Sequence, residues 1–498
     1  MSITEQLESA EARPKVGRAL AWGTGGSLLL RVGSLVVGIV LARLLNPSDF
    51  GVFAVALTVS TILMSISDLG LSAGLVRSAE PEKDAPTVAS ISLAVGLALC
   101  GGVVLLSGVI EDSFGVSGSA GVVAVIALSI PLGSIGVVPY ATLQRRYDQK
   151  RLVAAAATDF VVGTTVTVVL VLLGMGPMAL AISRVAAQFS ATTVQFVAAG
   201  IRPKFGYDAT RVGPAVKFGL PIAGANLLSW AVISTDNVIV GRVSGEVALG
   251  LYVLAFNVSS WPMTAIGQSV RSVALPWFAS ASTRVGTRDR SLARAGALTW
   301  AAALPAGGLL ALLAAPIVDT LYGSKWMGAA GALAALGIFG ALRVMFDLFA
   351  TYLTARGASR PVLWIQVLWV LTLIPAAVVG ARMNGIVGVA WSHTVIGVAF
   401  ILPAYLWTAR RVGADLGALA RVCVPPILAF TATVCPVIFV LRTFDQPFLQ
   451  AALAGVAGLL VYGAMIHQWI TGIVGRSGDA VPPAEEVVPV RRGGAHRS

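Results

Sequence analysis

Residues 41–59, LARLLNPSDFGVFAVALTV, return in outline 199 positions later as VGRVSGEVALGLYVLAFNV at 240–258. Leu41-Ala42-Arg43 falls against Val240-Gly241-Arg242, Gly51 against Gly250, Ala56 against Ala255 and Val59 against Val258. A weaker match at a spacing of 210 sets Leu143 and Arg146 against Leu353 and Arg356. A chain that repeats itself this way is built of two halves, and its composition says which solvent they meet. Only 12% of the 498 residues are charged and 56% are apolar, against about 25% charged in a soluble protein. Such a chain cannot cover itself with a water-compatible surface. That excludes a soluble enzyme, a secreted domain and a disordered tail, and leaves an all-α polytopic membrane protein.

Apolar runs between charged or Gly/Pro-rich breaks predict fourteen transmembrane helices, at about 19–44, 50–71, 86–110, 119–142, 152–174, 178–201, 213–236, 247–270, 296–321, 329–354, 361–380, 385–408, 420–441 and 448–471. Only Gly174 to Pro177 separate the fifth from the sixth, and Pro425, Pro426 and Pro436 interrupt the thirteenth. Residues 1–18 are polar, and the first apolar run is too long for a signal-peptide core, so it is expected to be a retained helix. The connections check this registry independently. With the N-terminus inside, 27 of the 35 Lys and Arg residues fall on the inner side, counting Lys217 and Arg421 at the inner ends of their helices. Five fall outside, Arg43, Arg242, Lys325, Arg382 and Arg442, and three lie within spans. One helix too many or too few would scramble this alternation, so the bias places both termini in the cytoplasm. The net charge of +12 then reports topology, not nucleic acid.

An offset of six helices is even, so the halves share orientation and are related by an axis along the membrane normal, a parallel repeat of the transporter kind. The expected organisation is an N-tail (1–18), an N-lobe (19–201), a cytoplasmic linker (202–212), a C-lobe (213–408), a two-helix appendix (409–471) and a cytoplasmic C-tail (472–498). All outside loops are short, which argues against a glycosyltransferase or polymerase with a site on the outer face.

Polar residues within the repeated helices form stripes at steps of three and four. The first helix carries Thr24, Ser27, Arg31 and Ser34, and the second carries Thr58, Thr61, Ser65 and Asp68. The seventh carries Asn226, Ser229, Asp236 and Asn237, and the eighth Asn257, Ser260, Thr264, Gln268 and Arg271. The repeat maps Ser27 to Asn226, Thr58 to Asn257, Thr61 to Ser260 and Ser65 to Thr264, preserving polarity where it does not preserve residues. Hydrocarbon cannot satisfy these groups, so the stripes suit a water-accessible cleft. The alternative for any single Ser or Thr is a bond back to its own helix. Arg31, at a span centre, costs about 2.5–3.5 kcal/mol to insert, which points to function. Asp68 and Asp236 are candidate ion carriers. Asp159 and Arg184 can pair between helices, and Arg343 and Asp347, spaced i,i+4, can neutralise each other. Cys100, Cys423 and Cys435 form no disulfide or metal pattern. His393 and His467 are isolated within spans. No GxxxxGK[ST] segment is present, so ATP hydrolysis by this chain is not expected.

Three segments together resemble a known family: Gly26-Ser27-Leu28 to Arg31, Leu41 to Gly51, and Ser67-Asp68-Leu69-Gly70-Leu71 ahead of Leu75-Val76-Arg77. They look like the N-terminal signature of bacterial polysaccharide transporters, the Wzx-type oligosaccharide flippases of the multidrug/oligosaccharidyl-lipid/polysaccharide exporter superfamily. The resemblance implies two six-helix lobes around a cavity lined by the first, second, seventh and eighth helices, in the bacterial plasma membrane. It implies an undecaprenyl-pyrophosphate-linked oligosaccharide as substrate, moved to the outer leaflet by alternating access, with glycosyltransferases and a polymerase as partners beside membrane lipids. No cofactor is implied beyond a coupling H⁺ or Na⁺. The residues suit it: Arg31 and Arg271 offer cationic donors to a pyrophosphate, and the hydroxyl and amide lining suits sugars. Related lipid II flippases are expected to hold several cavity arginines, and this chain offers one deep one. A drug/cation antiporter of the same superfamily would favour acids and aromatics in the cavity. A scaffold with the same fold is a further alternative.

Overall fold

In the computed structural model, residues 26, 29–67, 70–280 and 289–478 are described. They are almost wholly helical. After α1 (29–44) come α2 (Pro47–Ser67), α3 (Leu71–Arg77), α4 (Pro81–Phe114), α5 (Ser119–Ala127), α6 (Ser129–Ile135), α7 (Val137–Arg145), α8 (Gln149–Leu172) and α9 (Pro177–Ala199). The second half holds α10 (Ala209–Ser280), α11 (Ser291–Leu312), α12 (Ala314–Tyr322), α13 (Ala330–Ala355), α14 (Ser359–Ile396), α15 (Leu402–Arg411), α16 (Leu416–Thr443) and α17 (Pro447–Gly478).

The breaks follow from proline chemistry. The interval expected as one fourth helix is three, α5 to α7, because Pro131 and Pro139 have no N–H for the carbonyls of Ala127 and Ile135 four residues back. Pro316 does the same to Leu312, where α11 ends. Pro425, Pro426 and Pro436, by contrast, lie inside an unbroken α16. Two long helices fold back on themselves. Gly245 (φ +82°) interrupts α10, and Tyr252 beyond it reaches Asp236 before it at 3.0 Å. A straight helix would separate those Cα atoms by about 24 Å. Asn384 and Gly385 reverse α14 in the same way, bringing Ser392 Oγ to the Ala376 carbonyl at 2.9 Å. Nine described segments are long and apolar enough to cross a membrane, or ten when the pair bent at Gly136 is taken as one span. Two of the nine, Ser234–Trp261 and Ser359–Arg411, contain these reversals.

The chain divides into two compact units. The first comprises residues 1–261, 310–340 and 363–403, and the second 262–309, 341–362 and 404–498. In the first, α8 packs along α9, and Arg184 Nη1 on α9 donates to both carboxylate oxygens of Asp159 on α8, at 3.1 and 3.2 Å, the pairing expected from sequence. The 202–212 segment is strapped to the start of α4. Arg211 pairs with Glu80 at 2.9 Å, with Asp208 at 3.1 Å and with Asp84, and Gly206 N–H donates to Ser90 Oγ at 3.0 Å. In the second unit α16 packs along α17. There Asp289 gathers the helix ends: its carboxylate accepts from Ser291 N–H at 2.8 Å, Tyr352 Oη at 2.8 Å and the Arg356 guanidinium. Burial opposes ionisation of Asp289, but these donors outweigh it and hold its pKa below the usual value. Outward faces are apolar, with Leu105, Val197, Met383 and Phe439 at least 70% exposed, as lipid-facing helices require.

Candidate functional site

Within the first unit, the polar stripes of α2 and α10 meet at one point: Asn237 Nδ2 donates to Thr58 Oγ1 at 2.9 Å. Thr58 is buried there. Thr61 and Ser260 instead donate to carbonyls on their own helices, Leu57 at 2.7 Å and Phe256 at 2.8 Å. That is the local satisfaction weighed as the alternative, and it leaves their hydroxyl lone pairs able to accept from a ligand. Arg31 is exposed near the start of described α1, and Asn257 and Thr264 are exposed on α10. Ser27 and Asp68 lie outside the described residues. Ser65, Asn226, Ser229, Gln268 and Arg271 lie in helices, with side chains outside the description.

The tightest polar cluster of the first unit lies one residue from Asn237. Asp236 Oδ2 accepts from His393 Nε2 at 2.8 Å and from Tyr252 Oη at 3.0 Å, with Tyr252 Oη and His393 Nε2 3.3 Å apart. Asp236, Tyr252 and His393 are buried at 2%, 1% and 5% exposure. The reversal at Gly245 brings Tyr252 back beside Asp236, and the second arm of α14 supplies His393, whose ring packs 4.8 Å from that of Phe339. Asp236 Oδ1 and His393 Nδ1 are buried and make no hydrogen bond among the described residues. A carboxylate, an imidazole and a phenol thus meet at one oxygen in an apolar setting, so three groups able to donate or accept a hydrogen bond are tied into one buried network.

In the sequence Asp236 stands out as a charge within a span, whereas His393 is isolated there. The structure corrects that, because the partner lies 157 residues away. A signal existed: Ser392-His393-Thr394 is a run of three polar residues inside a span, and hydrocarbon tolerates such a run only against a partner.

A separate cavity of about 810 Å³ opens where α3, α7 and α9 end and α4 begins. Arg145, Arg146, Arg202 and Lys204 line it together with Phe196, Phe205 and other apolar residues. Among the described residues no group of three His, Cys, Asp or Glu side chains could hold a metal ion.

Solved structures share this architecture. A lipid II flippase, MurJ, in an inward closed conformation superposes with a TM-score of 0.76 at 14% identity, covering 91% of this chain and 99% of that one. An inward-facing multidrug resistance MATE family transporter superposes with a TM-score of 0.62 at 17% identity, covering 79% and 96%. The protein therefore has the all-helical membrane fold of that class of exporters. Residues 40–331 match the family described as polysaccharide biosynthesis protein, and the chain belongs to it. It is 25% identical to the succinoglycan biosynthesis transport protein ExoT of Rhizobium meliloti over 91% of this chain and 92% of that protein. It is 22% identical to the lipopolysaccharide biosynthesis protein WzxC of Escherichia coli over 79% and 80%.

Proposed function

We propose that this protein is a flippase that carries a lipid-linked oligosaccharide, a repeat unit of a surface polysaccharide on undecaprenyl pyrophosphate, from the inner to the outer leaflet of the bacterial plasma membrane by alternating access. The observation that carries the reading is a likeness over nine-tenths of the chain to a succinoglycan transport protein, joined to the fold of a lipid II flippase. Composition and charge agree with it. The anionic headgroup is drawn to the basic inner surface, where Arg145, Arg146, Arg202 and Lys204 rim a cavity. Arg31, with Arg271, offers cationic donors to the pyrophosphate. Thr58, Thr61, Asn257, Ser260 and Thr264, with Ser27, Ser65, Asn226, Ser229 and Gln268, offer the sugar hydroxyls partners, while the prenyl tail stays in lipid. The glycosyltransferases that build the unit and the polymerase that extends it are the expected partners. The likeness to a MATE transporter is one of fold alone, so the drug antiporter reading ranks behind.

Transport against a lipid gradient needs an energy input, and we assign it to an ion gradient read by Asp236. The Asp236–His393–Tyr252 cluster suits a proton, since each group already holds or accepts one; Asp68 is the second candidate carrier. Sodium in place of the proton is an outcome the experiment distinguishes.

The test deletes the gene and compares lipid-linked sugars in inside-out and right-side-out vesicles. Outer-leaflet intermediates should disappear while inner-leaflet ones accumulate. Unchanged outer-leaflet intermediates would overturn the reading.

A further inference from the structure

Arg43 and Arg242, equivalent under the 199-residue repeat, each reach across to the other half of the sequence and end on the same kind of target. Arg43 Nε donates to the Leu321 carbonyl at 3.0 Å, and its Nη2 donates to that of Thr320. Arg242 Nη1 donates to the Asp112 carbonyl. Asp112 and Thr320 stand at equivalent places. Helix α4 closes with Gly115 N–H on the Glu111 carbonyl (2.8 Å) and α12 with Gly323 N–H on that of Asp319 (3.0 Å), both glycines at positive φ. The last carbonyls of a helix have no intrahelical donor and carry the negative end of its dipole, so each guanidinium caps a helix C-terminus.

A second symmetric contact lies beside the first. A Cβ on Gly51 would stand 1.9 Å from the Glu246 carbonyl, and one on Gly250 would stand 1.8 Å from that of Pro47. These residue pairs are again 199 apart, so α2 and the second arm of α10 cross on their glycines. Lys325 Nζ donates to the carbonyls of Arg43 (2.9 Å) and Leu45 (2.5 Å), and Trp326 Nε1 to that of Ala42 (2.7 Å), capping α1 in turn. Of the five basic residues that the charge count leaves on the outer side, three belong to this cluster.

We propose that Arg43 and Arg242 are matched positioning residues that hold the outer end of the transport path shut, each by capping a helix of the opposite half. The inference rests on the alternating-access reading above and on the orientation set by the charge count. An accidental surface contact would not be duplicated by the repeat at both the donor and the acceptor. Both arginines are exposed, so on separation the guanidinium and the helix carbonyls are taken up by water at little cost, as a gate requires. The glycine crossing has no side chains to interlock, which lets the helices part along that line.

The test places a single cysteine at Val55 in full-length protein with Cys100, Cys423 and Cys435 replaced by serine. Val55 is fully buried and lies between Gly51 and Thr58 on one face of α2. Intact cells are treated with a membrane-impermeant maleimide. Arg43→Ala and Arg242→Ala should each raise labelling about threefold, the scale of a water-exposed charge-assisted hydrogen bond lost from one state only. Arg242→Ala should act more strongly, since Lys325 and Trp326 still hold α1 when Arg43 is gone. Lysine at either position should restore part of the closure. A merely structural role would lower membrane abundance without raising outside labelling. If the alanine variants fail to insert, Arg43→Gln and Arg242→Gln carry the same test. Unchanged labelling in inserted variants overturns the proposal. Labelling needs no substrate, so a failed lipid assay alongside a positive labelling result would sink the flippase reading and leave the gate standing.

Discussion

At Asp236 one carboxylate oxygen accepts two hydrogen bonds while the other accepts none among the described residues, and the carrier role proposed above would use that spare oxygen. Asp236→Asn keeps the shape and removes the titration. It should leave the protein inserted and abolish export driven by a proton gradient, measured as substrate-lipid movement in proteoliposomes with and without an imposed ΔpH. Full gradient-driven export by that variant would exclude Asp236 as the carrier. Tyr252→Phe removes one donor from a buried acceptor and should destabilise the protein by about 1–3 kcal/mol, read as a lowered thermal midpoint. Arg31→Ala should abolish export with normal membrane abundance, whereas full activity would make Arg31 structural. The expense of a charge in hydrocarbon made Asp236 and Arg31 legible in sequence. The partner of His393 was not, because nothing local ties it to a residue 157 positions earlier.

At the scale of elements, close helix crossings and loop straps decide what can move. Gly51→Ala and Gly250→Ala each place a methyl group onto a carbonyl of the partner helix. Both should disrupt the outer crossing and raise outside labelling at position 55, with the two variants alike because their contacts are. The strap over 202–212 is held by charge. Lys83 and Arg211 beside Glu80 keep its carboxyl below the usual range, and hydrogen bonds from Thr210 do the same for Asp208. A carboxylate with a depressed folded pKa contributes stability above its unfolded pKa and loses it as pH falls through the folded value. The strap should therefore be intact at neutral pH and loosen only below about pH 4. Limited proteolysis with an acid-active protease should then show cleavage within 200–212 appearing below that pH, and earlier in Arg211→Ala. Helix positions were legible from apolar run lengths, and the breaks at Ala127, Ile135 and Leu312 follow from prolines visible in the sequence. The reversals at Gly245 and Asn384 fall in expected connections, with Gly385 at the start of an expected helix, but the contacts they create depend on how each arm is rotated.

For the molecule as a whole, orientation is the testable consequence of the charge distribution. A phosphatase reporter active only outside the cytoplasm should be active when fused after Arg382 or Thr443 and inactive after Tyr147 or Asp289. Activity after Tyr147 would reverse the orientation. By itself the sequence determined the membrane class, the approximate helix intervals, the family resemblance and the doubling of the chain. All of these are one-dimensional: a bilayer sorts residues by polarity along the chain, and an internal repeat is visible by comparison alone. The tertiary structure decided the partners. Asp236 with His393 and Tyr252, Thr58 with Asn237, and Arg43 and Arg242 on the ends of α12 and α4 join residues from about 16 to almost 280 positions apart. Such pairs arise from the azimuth of each helix and the reversal between its arms. Lipid, being indifferent to which apolar face it meets, leaves that rotation to be set by the packing of helix on helix.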